Sequence, residues 1–457
     1  MFLARLLVLF SLVCISCAHS SFEQKQLKHA LDFATSNRLE LEILLQHYTY
    51  DSLKLEAAKF LIRNMPHCYS YQQGGEMDSV KRVRTYYSPF GQIDQTYARR
   101  WGHYTYRNLP KIYDAHIITA EYLIDNIDRA FDNWQKRPWN RSLSFEDFCE
   151  YLLPYRIGDE PLEEWRELYE KKYGYLLDSI YKGSDVVEAA NLVSRHLQEP
   201  VFIYCEDFEL PHIGPRYLFS HRYGSCVDAA DIVTYAFRAV GIPCMEDTDA
   251  RGGHVWNVVR DTTGRDVPIW YIASEAVRGS RDTGGYKRGK VYRPMYGFQE
   301  EKAAHLGDDW KSMPLLFYHP YMKDVSYAYY PDTLRILTGI PDDEVCYLAH
   351  FHEAHWWSCA CARSASGKME IPNLESELVY LPMKYTKGNY YPSGFPFWFA
   401  GGEINTFLPD WEKTVKVRLY RKYPVYGWLR SFMSHVVGGT FEGSMTKDFE
   451  DGKNLPE

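Results

Sequence analysis

Cys226 and His254 are the two side chains whose types and settings are suited to covalent chemistry. Cys226 follows Gly224-Ser225 and opens a run in which Val227, Ile232, Val233, Ala236, Phe237 and Val240 recur near helical spacing, until Gly241 and Pro243 end it. The thiol is therefore expected at a helix start, where unpaired backbone N–H groups and the positive end of the dipole favour the thiolate. His254 heads an alternating segment, His254 to Arg260, that reads as a strand closed by a Thr263-Gly264 turn. An imidazole placed near the thiol favours the thiolate further by forming an ion pair with it. Taken singly, a cysteine or a strand histidine is more often a core residue. The conjunction of Gly-Ser-Cys at a helix start, a Gly-Ile-Pro stop and a His-x-Trp strand points to a thiol site.

These pieces, Gly224-Ser225-Cys226, Arg238-Ala239-Val240-Gly241-Ile242-Pro243 and His254-Val255-Trp256-Asn257-Val258-Val259, resemble the transglutaminase-like superfamily, whose members use a papain-type Cys-His-Asp arrangement. The resemblance covers Asp185 to Arg293. The wider chain is similar to exported bacterial multidomain proteins that carry such a core between a helical front and a β-rich tail. What the resemblance implies is acyl chemistry at Cys226 with His254 as the base. The third, acidic member belongs at the end of the following strand, near Val267 to Trp270, and Trp270 stands in its place. Of the nearest carboxylates, Asp266 directly follows the turn and reads as a turn residue, whereas Glu275 lies in the loop beyond and is taken as the third member. The oxyanion falls near the Cys226 backbone N–H, with Tyr223 or His221 as second donors. No cofactor and no metal is required. Attack on the amide of a peptide or protein gives an acyl-enzyme; water as acceptor makes a peptidase or amidase, and an amine makes an acyltransferase. The alternative is a catalytically weak or inactive binding protein for peptide or glycan at the cell envelope, which Trp270 at the acid position favours.

The elements that must position this pair belong to an α+β chain. Residues 21–183 read as a helical region: Asp51 caps a helix carrying Leu53, Ala57, Ala58, Leu61 and Ile62; Ser144 with Asp147 starts another; and Pro161 begins a third through Trp165, Leu168 and Tyr169. Gln72 to Leu109, rich in Gly, Tyr and Arg, shows no clear period and reads as a long irregular segment. Residues 184–300 form the transglutaminase-like core. In residues 314–424 the β-like runs Glu344 to Phe351, Trp356 to Ala362, Leu378 to Pro382 and Thr414 to Tyr420, separated by turn residues, suggest an antiparallel β-sandwich. Such a module admits glycan as a further partner. His350, His352, His355, Cys359 and Cys361 lie close together there, but they meet no standard metal-ligand spacing and a hairpin accounts for them. Residues 438–457 read as a flexible tail.

Residues 1–17 fit a signal peptide, with Arg5 before an apolar run from Leu6 to Ile15 that is too short to span a bilayer. Cys14-Ile15-Ser16-Cys17 resembles a bacterial lipobox, with Cys17 as the lipidated residue; simple cleavage near Ala18 is the other reading. Either way the expected location is outside the cytoplasm, in the cell envelope, as a periplasmic protein or an outer-membrane lipoprotein. A net charge of −8 without a block of Lys or Arg argues against nucleic acid and leaves the membrane as a partner only through a lipid anchor. The irregularly spaced cysteines do not describe a disulfide scaffold, although export permits a bridge among Cys68, Cys149, Cys205 and Cys244.

Overall fold

Side-chain caps start the helices of the front. Asp51 accepts from Lys54 N at the head of Ser52–Asn64, and Ser144 accepts from Asp147 N at the head of Phe145–Tyr151, each satisfying a first-turn N–H that lacks an intrahelical partner. The structure is a computed structural model that describes residues 22–457 except 88–92, 102–103, 206–207, 252, 273, 281–286, 300–312, 338–340, 353–354, 411, 413–440, 444–452 and 456–457. The signal segment, Cys17 and the run Thr414 to Tyr420 therefore lie outside the described residues. Ser52–Asn64, Arg38–His47, Ala120–Lys136 and Phe145–Tyr151 enclose one core through Leu41, Leu44, Leu61, Leu123, Ile127, Phe131 and Phe148.

Two expectations about this front change. The segment from Gln72 to Leu109 contains the helices Glu76–Arg84 and Gln95–Trp101. Its period was hidden because Glu76–Arg84 buries Lys81 and Arg84 along with Met77, Val80 and Val83, so its inner face does not read as apolar. The helix expected from Pro161 begins instead at Arg166. Trp165 stands ahead of it outside helical geometry, buried, with its Nε1 donating to the Tyr155 carbonyl at 2.9 Å.

The centre pairs one buried helix with one antiparallel sheet. Cys226–Ala239 packs among Trp139, Tyr169, Val193, Val259 and Ile269 through Ile232, Val233, Ala236 and Phe237. The sheet runs in the order Asp266–Ile269, Val255–Arg260, Cys244–Asp249, Val291–Pro294, Met322–Asp324, with every neighbouring pair antiparallel. Asn257 fastens the sheet to the helix by donating to Ala230 O at 3.0 Å and to Thr234 Oγ1 at 2.9 Å. The boundary drawn at residue 300 is too early, because Met322–Asp324 completes this sheet from within the segment assigned to the C-terminal module.

That module holds a six-stranded antiparallel sheet in the order His355–Arg363, Val345–His352, Leu378–Thr386, Phe397–Ala400, Glu403–Thr406, with Asn389–Pro392 also on Leu378–Thr386. One face, through Cys346, Leu348, Tyr380, Phe397 and Phe399, shares a core with the two-stranded pair Leu334–Leu337 and Lys368–Ile371. The other face, through Tyr347, Ala349, Leu381 and Met383, packs on Tyr292, Met313 and Phe317. Both faces are thus covered, which explains runs that are apolar at nearly every position, such as Val345–His352. Within the tail expected to be flexible, Phe441–Gly443 pairs with Lys453–Leu455. The four cysteines weighed for a bridge are thiols divided among three cores: Cys68 and Cys149 in one, Cys205 and Cys244 each in another. Among the described residues, no helix is long and apolar enough to cross a membrane.

Candidate active site

The residues before the thiol are fixed by one carboxylate. Asp228, at the third helical position, accepts from Ser225 N at 2.7 Å, while Ser225 Oγ accepts from Val227 N at 3.3 Å. This is a reciprocal capping box, and it sets Cys226 as the first helical residue. It also explains Gly224. A Cβ at that position would lie 2.3 Å from Asp228 Oδ2 and 2.4 Å from Asp228 Cβ, so any larger residue displaces the cap. Arg84 closes the arrangement from the helical front, donating to Asp228 Oδ2 at 3.0 Å and to Phe208 O at 3.1 Å, with both ionic side chains buried. A short parallel pairing of Ile203–Tyr204 with Tyr223–Gly224 holds the strand that leads into the helix.

Cys226 and His254 line the same small cavity, together with Tyr204, Ala230, Asn257, Trp270 and Tyr271. Its volume of about 10 Å³ accommodates roughly a single water. The thiol residue is half-buried. His254 Nε2 stands 3.2 Å from the Trp270 carbonyl oxygen. A carbonyl oxygen only accepts, so Nε2 carries the proton and Nδ1 is left with the lone pair. The ring is further placed by Trp256, near-parallel at 5.9 Å, and by Tyr271 at 5.4 Å. Burial holds the imidazole below its ordinary pKa, and the positive charge of Arg288 adds to that effect against a smaller opposing contribution from the Trp270 carbonyl. The neutral, proton-accepting form is therefore favoured. That suits a general base better than a permanently charged partner.

The third member differs from expectation. Glu275 turns away and pairs with Arg195 Nη1 at 2.7 Å, both side chains about half exposed (55% and 52%). The loop carrying it is tied to the helix Val186–His196: Asn191 both donates to Ala276 O at 3.0 Å and accepts from Ala276 N at 2.7 Å, and Ser194 donates to Ser274 O at 2.9 Å. The other carboxylate considered, Asp266, accepts from Tyr151, Arg260 and Arg293. The position opposite the base is filled by main chain, the Trp270 carbonyl, and a carbonyl has no signature in a sequence. The second oxyanion donors also change. Tyr223 packs against the cluster of Val80, Val83 and Phe208, and exposed His221 stacks on Tyr217 at 4.6 Å; neither lines the cavity, whereas Tyr204 does.

A second, larger cavity of about 480 Å³ begins beside the thiol, lined by Ser225 and Val227 at the helix start and sharing Val255 with the smaller one. Its polar wall was not found from sequence. His212 Nδ1 lies 2.9 Å from Asp231 Oδ2, and Glu246 Oε1 accepts from Thr234 Oγ1 at 2.6 Å. Burial pushes the Asp231 carboxyl up to about 6 and, with Asp231 beside it, the Glu246 carboxyl up to about 8. Burial opposes charge on His212, but the attraction of Asp231 prevails and holds it well above the ordinary value. His212, Glu246 and Asp228 line the cavity, and Asp231 and Thr234 back His212 and Glu246; the polar stripe Asp228, Asp231, Thr234 at near-helical spacing along the Cys226 helix is the signal of this in the sequence. A further cavity, about 1320 Å³, lies elsewhere, between Phe60 and Cys149 of the front and Ala360 and Ile371 of the C-terminal module.

The geometry thus provides a half-buried thiol at a capped helix start, a neutral imidazole oriented by a carbonyl, and an adjoining polar cavity. Comparison with family models, with curated proteins and with solved structures returned no match to this chain.

Proposed function

We propose that the chain is a transglutaminase-like cysteine enzyme that attacks amide bonds of peptide or protein substrates through Cys226. The observation that carries this reading is the meeting of Cys226 and His254 in one cavity, with His254 Nε2 facing the Trp270 carbonyl, which makes Nδ1 the ring's accepting nitrogen. In the proposed reaction Nδ1 takes the thiol proton as sulfur bonds to the amide carbonyl carbon. The same nitrogen returns the proton to the departing amine, leaving a thioester. Water or a second amine then attacks that thioester, regenerating the thiol. The Cys226 backbone N–H, at a helix start, supports the oxyanion. A carbonyl orients the imidazole but carries no full negative charge, so it stabilises the imidazolium of the transition state less than a carboxylate does, and a slow enzyme is expected. The 480 Å³ cavity supplies volume for a substrate side chain that the 10 Å³ thiol cavity does not.

The core resembling this superfamily is supported by a buried helix on an antiparallel sheet in the order Cys then His, and a sandwich reading of the tail by the two-stranded pair packed on the six-stranded sheet. The binding-protein reading, with peptide or glycan as ligand, is supported by the Trp270 carbonyl standing at His254 Nε2, where the resemblance leads one to expect a carboxylate. Release of amine or ammonia from a peptide library tests between them. Turnover that disappears in Cys226→Ala while peptide binding persists supports the enzyme; binding without turnover in the parent protein overturns it. We place the protein in the cell envelope on the strength of residues 1–17, and incorporation of labelled fatty acid that is lost in Cys17→Ser is the outcome expected of the lipobox.

A further inference from the structure

Arg288 is fully buried, and its guanidinium lies 4.9 Å from the Trp256 ring and 4.9 Å from the Trp270 ring. These two indoles belong to the chain segments that define the base. Trp256 follows His254 by one intervening residue and lies near-parallel to its imidazole, and Trp270 supplies the carbonyl that His254 Nε2 meets. The two rings lie 5.2 Å apart and tilted by 35°, and the guanidinium packs against both at once, so a flat cation there fixes their mutual placement in a way that a compact ammonium does not.

The segment bearing Arg288 is in turn anchored to the C-terminal module. Glu375, itself buried, accepts from Arg288 N at 2.6 Å and from Gly289 N at 2.9 Å, and Glu375 N donates to Gly289 O at 3.0 Å. Lys290 Nζ reaches Pro372 O at 2.9 Å. Gly289 adopts φ +73°, and a Cβ there would stand 2.9 Å from His350 Nδ1 and 3.0 Å from Cys359 Sγ, so the backbone lies directly against the six-stranded sheet.

We propose that Arg288 is a positioning residue of the thiol site, packed against both Trp256 and Trp270 and anchored through Glu375, so that the C-terminal module sets the placement of His254 and of the carbonyl that orients it. The module then takes part in the geometry of the reaction besides any ligand it binds. The depressed basicity of His254, to which the Arg288 charge contributes after burial, agrees with this arrangement. Other charged groups near the imidazole are Asp249 and Arg251, one on the strand that pairs with the His254 strand and the other just beyond it, and they act in opposite senses.

The inference rests on the thiol–imidazole reading, and its test separates the two. The His254 ring is titrated by NMR in the full-length protein and in Arg288→Met and Arg288→Lys, alongside the iodoacetamide alkylation rate of Cys226. Cys226 alkylation at neutral pH is expected to slow in both variants, because neither side chain packs flat on the two rings, whereas the His254 midpoint is expected to move up in Arg288→Met, which also removes the charge, and to stay nearer that of the parent in Arg288→Lys. A Cys226 alkylation rate equal to that of the parent in both folded variants overturns the proposal. If either variant does not fold, Glu375→Gln carries the test: slower alkylation of Cys226 with Cys361 unaffected supports the anchor, and an unchanged Cys226 rate overturns it. A parent alkylation rate indifferent to His254→Gln defeats the thiol–imidazole reading alone.

Discussion

Replacing Asp228 by Ala removes the group on which the Gly-Ser-Cys segment is built. Two losses follow. The buried Arg84 guanidinium keeps its bond to Phe208 O but loses its carboxylate, and stranding one partner of a buried ion pair costs about 3–5 kcal/mol. Ser225 N loses its acceptor, and loss of a helix cap costs about 1 kcal/mol. The two share one side chain and are not additive, so a destabilisation of about 3–5 kcal/mol is expected, a large share of the roughly 5–15 kcal/mol by which a domain is stable. Urea unfolding followed by tryptophan fluorescence, with Cys226 alkylation measured in the same samples, reads both the fold and the helix start. Arg84→Met combined with Asp228→Ala should recover part of the loss, because the unpaired buried charge is then gone. A single Asp228→Ala variant within about 1 kcal/mol of the parent, or a double variant weaker than the single, would refute the reasoning that this pair holds the site.

Glu275→Gln should leave Cys226 alkylation and any turnover unchanged and reduce stability by no more than about 1 kcal/mol, because its partner Arg195 is half exposed and such pairs contribute little; a fall in turnover without a change in binding would return Glu275 to the mechanism. Glu246→Gln addresses the polar cavity. The folded-state value of the Glu246 carboxyl, about 8, stands above its ordinary 4.5, so the folded chain retains a proton that the unfolded chain has released and stability falls as pH rises between them. His212, held above its ordinary 6.5, acts in the same direction: its contribution is fully present below 6.5 and is lost as pH rises through the folded value. Thermal melting should therefore show a shallower decline from pH 5 to pH 8 in Glu246→Gln than in the parent, and parallel curves would count against a proton held at Glu246.

Cys226, Ser225 and the strand after His254 were legible because each is marked by side-chain type and spacing: a cap, an apolar stripe and an alternation. Legible for the same reason were the Asp51 and Ser144 caps and the strands Val345–His352 and His355–Arg363. What escaped the sequence depends on groups far apart along the chain or on main chain. Arg84 is joined to Asp228 from the helical front, Arg288 to Glu375 from the C-terminal module, and the partner of His254 is a peptide carbonyl. Glu275 was chosen by proximity in sequence, but the loop is tied by Asn191 and Ser194 to a helix that offers it Arg195 instead. Buried charges also misled. Lys81 and Arg84 gave the helix Glu76–Arg84 the composition of an exposed segment, although its inner face is packed.

Cys226 and Cys361 are the two described cysteines that are half-buried rather than buried, and they make a matched pair. Mass-spectrometric mapping of iodoacetamide alkylation across pH, in the parent protein and in His254→Gln, therefore measures the central claim with accessibility controlled. The account expects Cys226 to react faster than Cys361 and to lose that advantage when His254 is replaced, with Cys361 unchanged. Equal rates at the two thiols in the parent, or a Cys226 rate untouched by His254→Gln, would contradict a thiol activated by that imidazole.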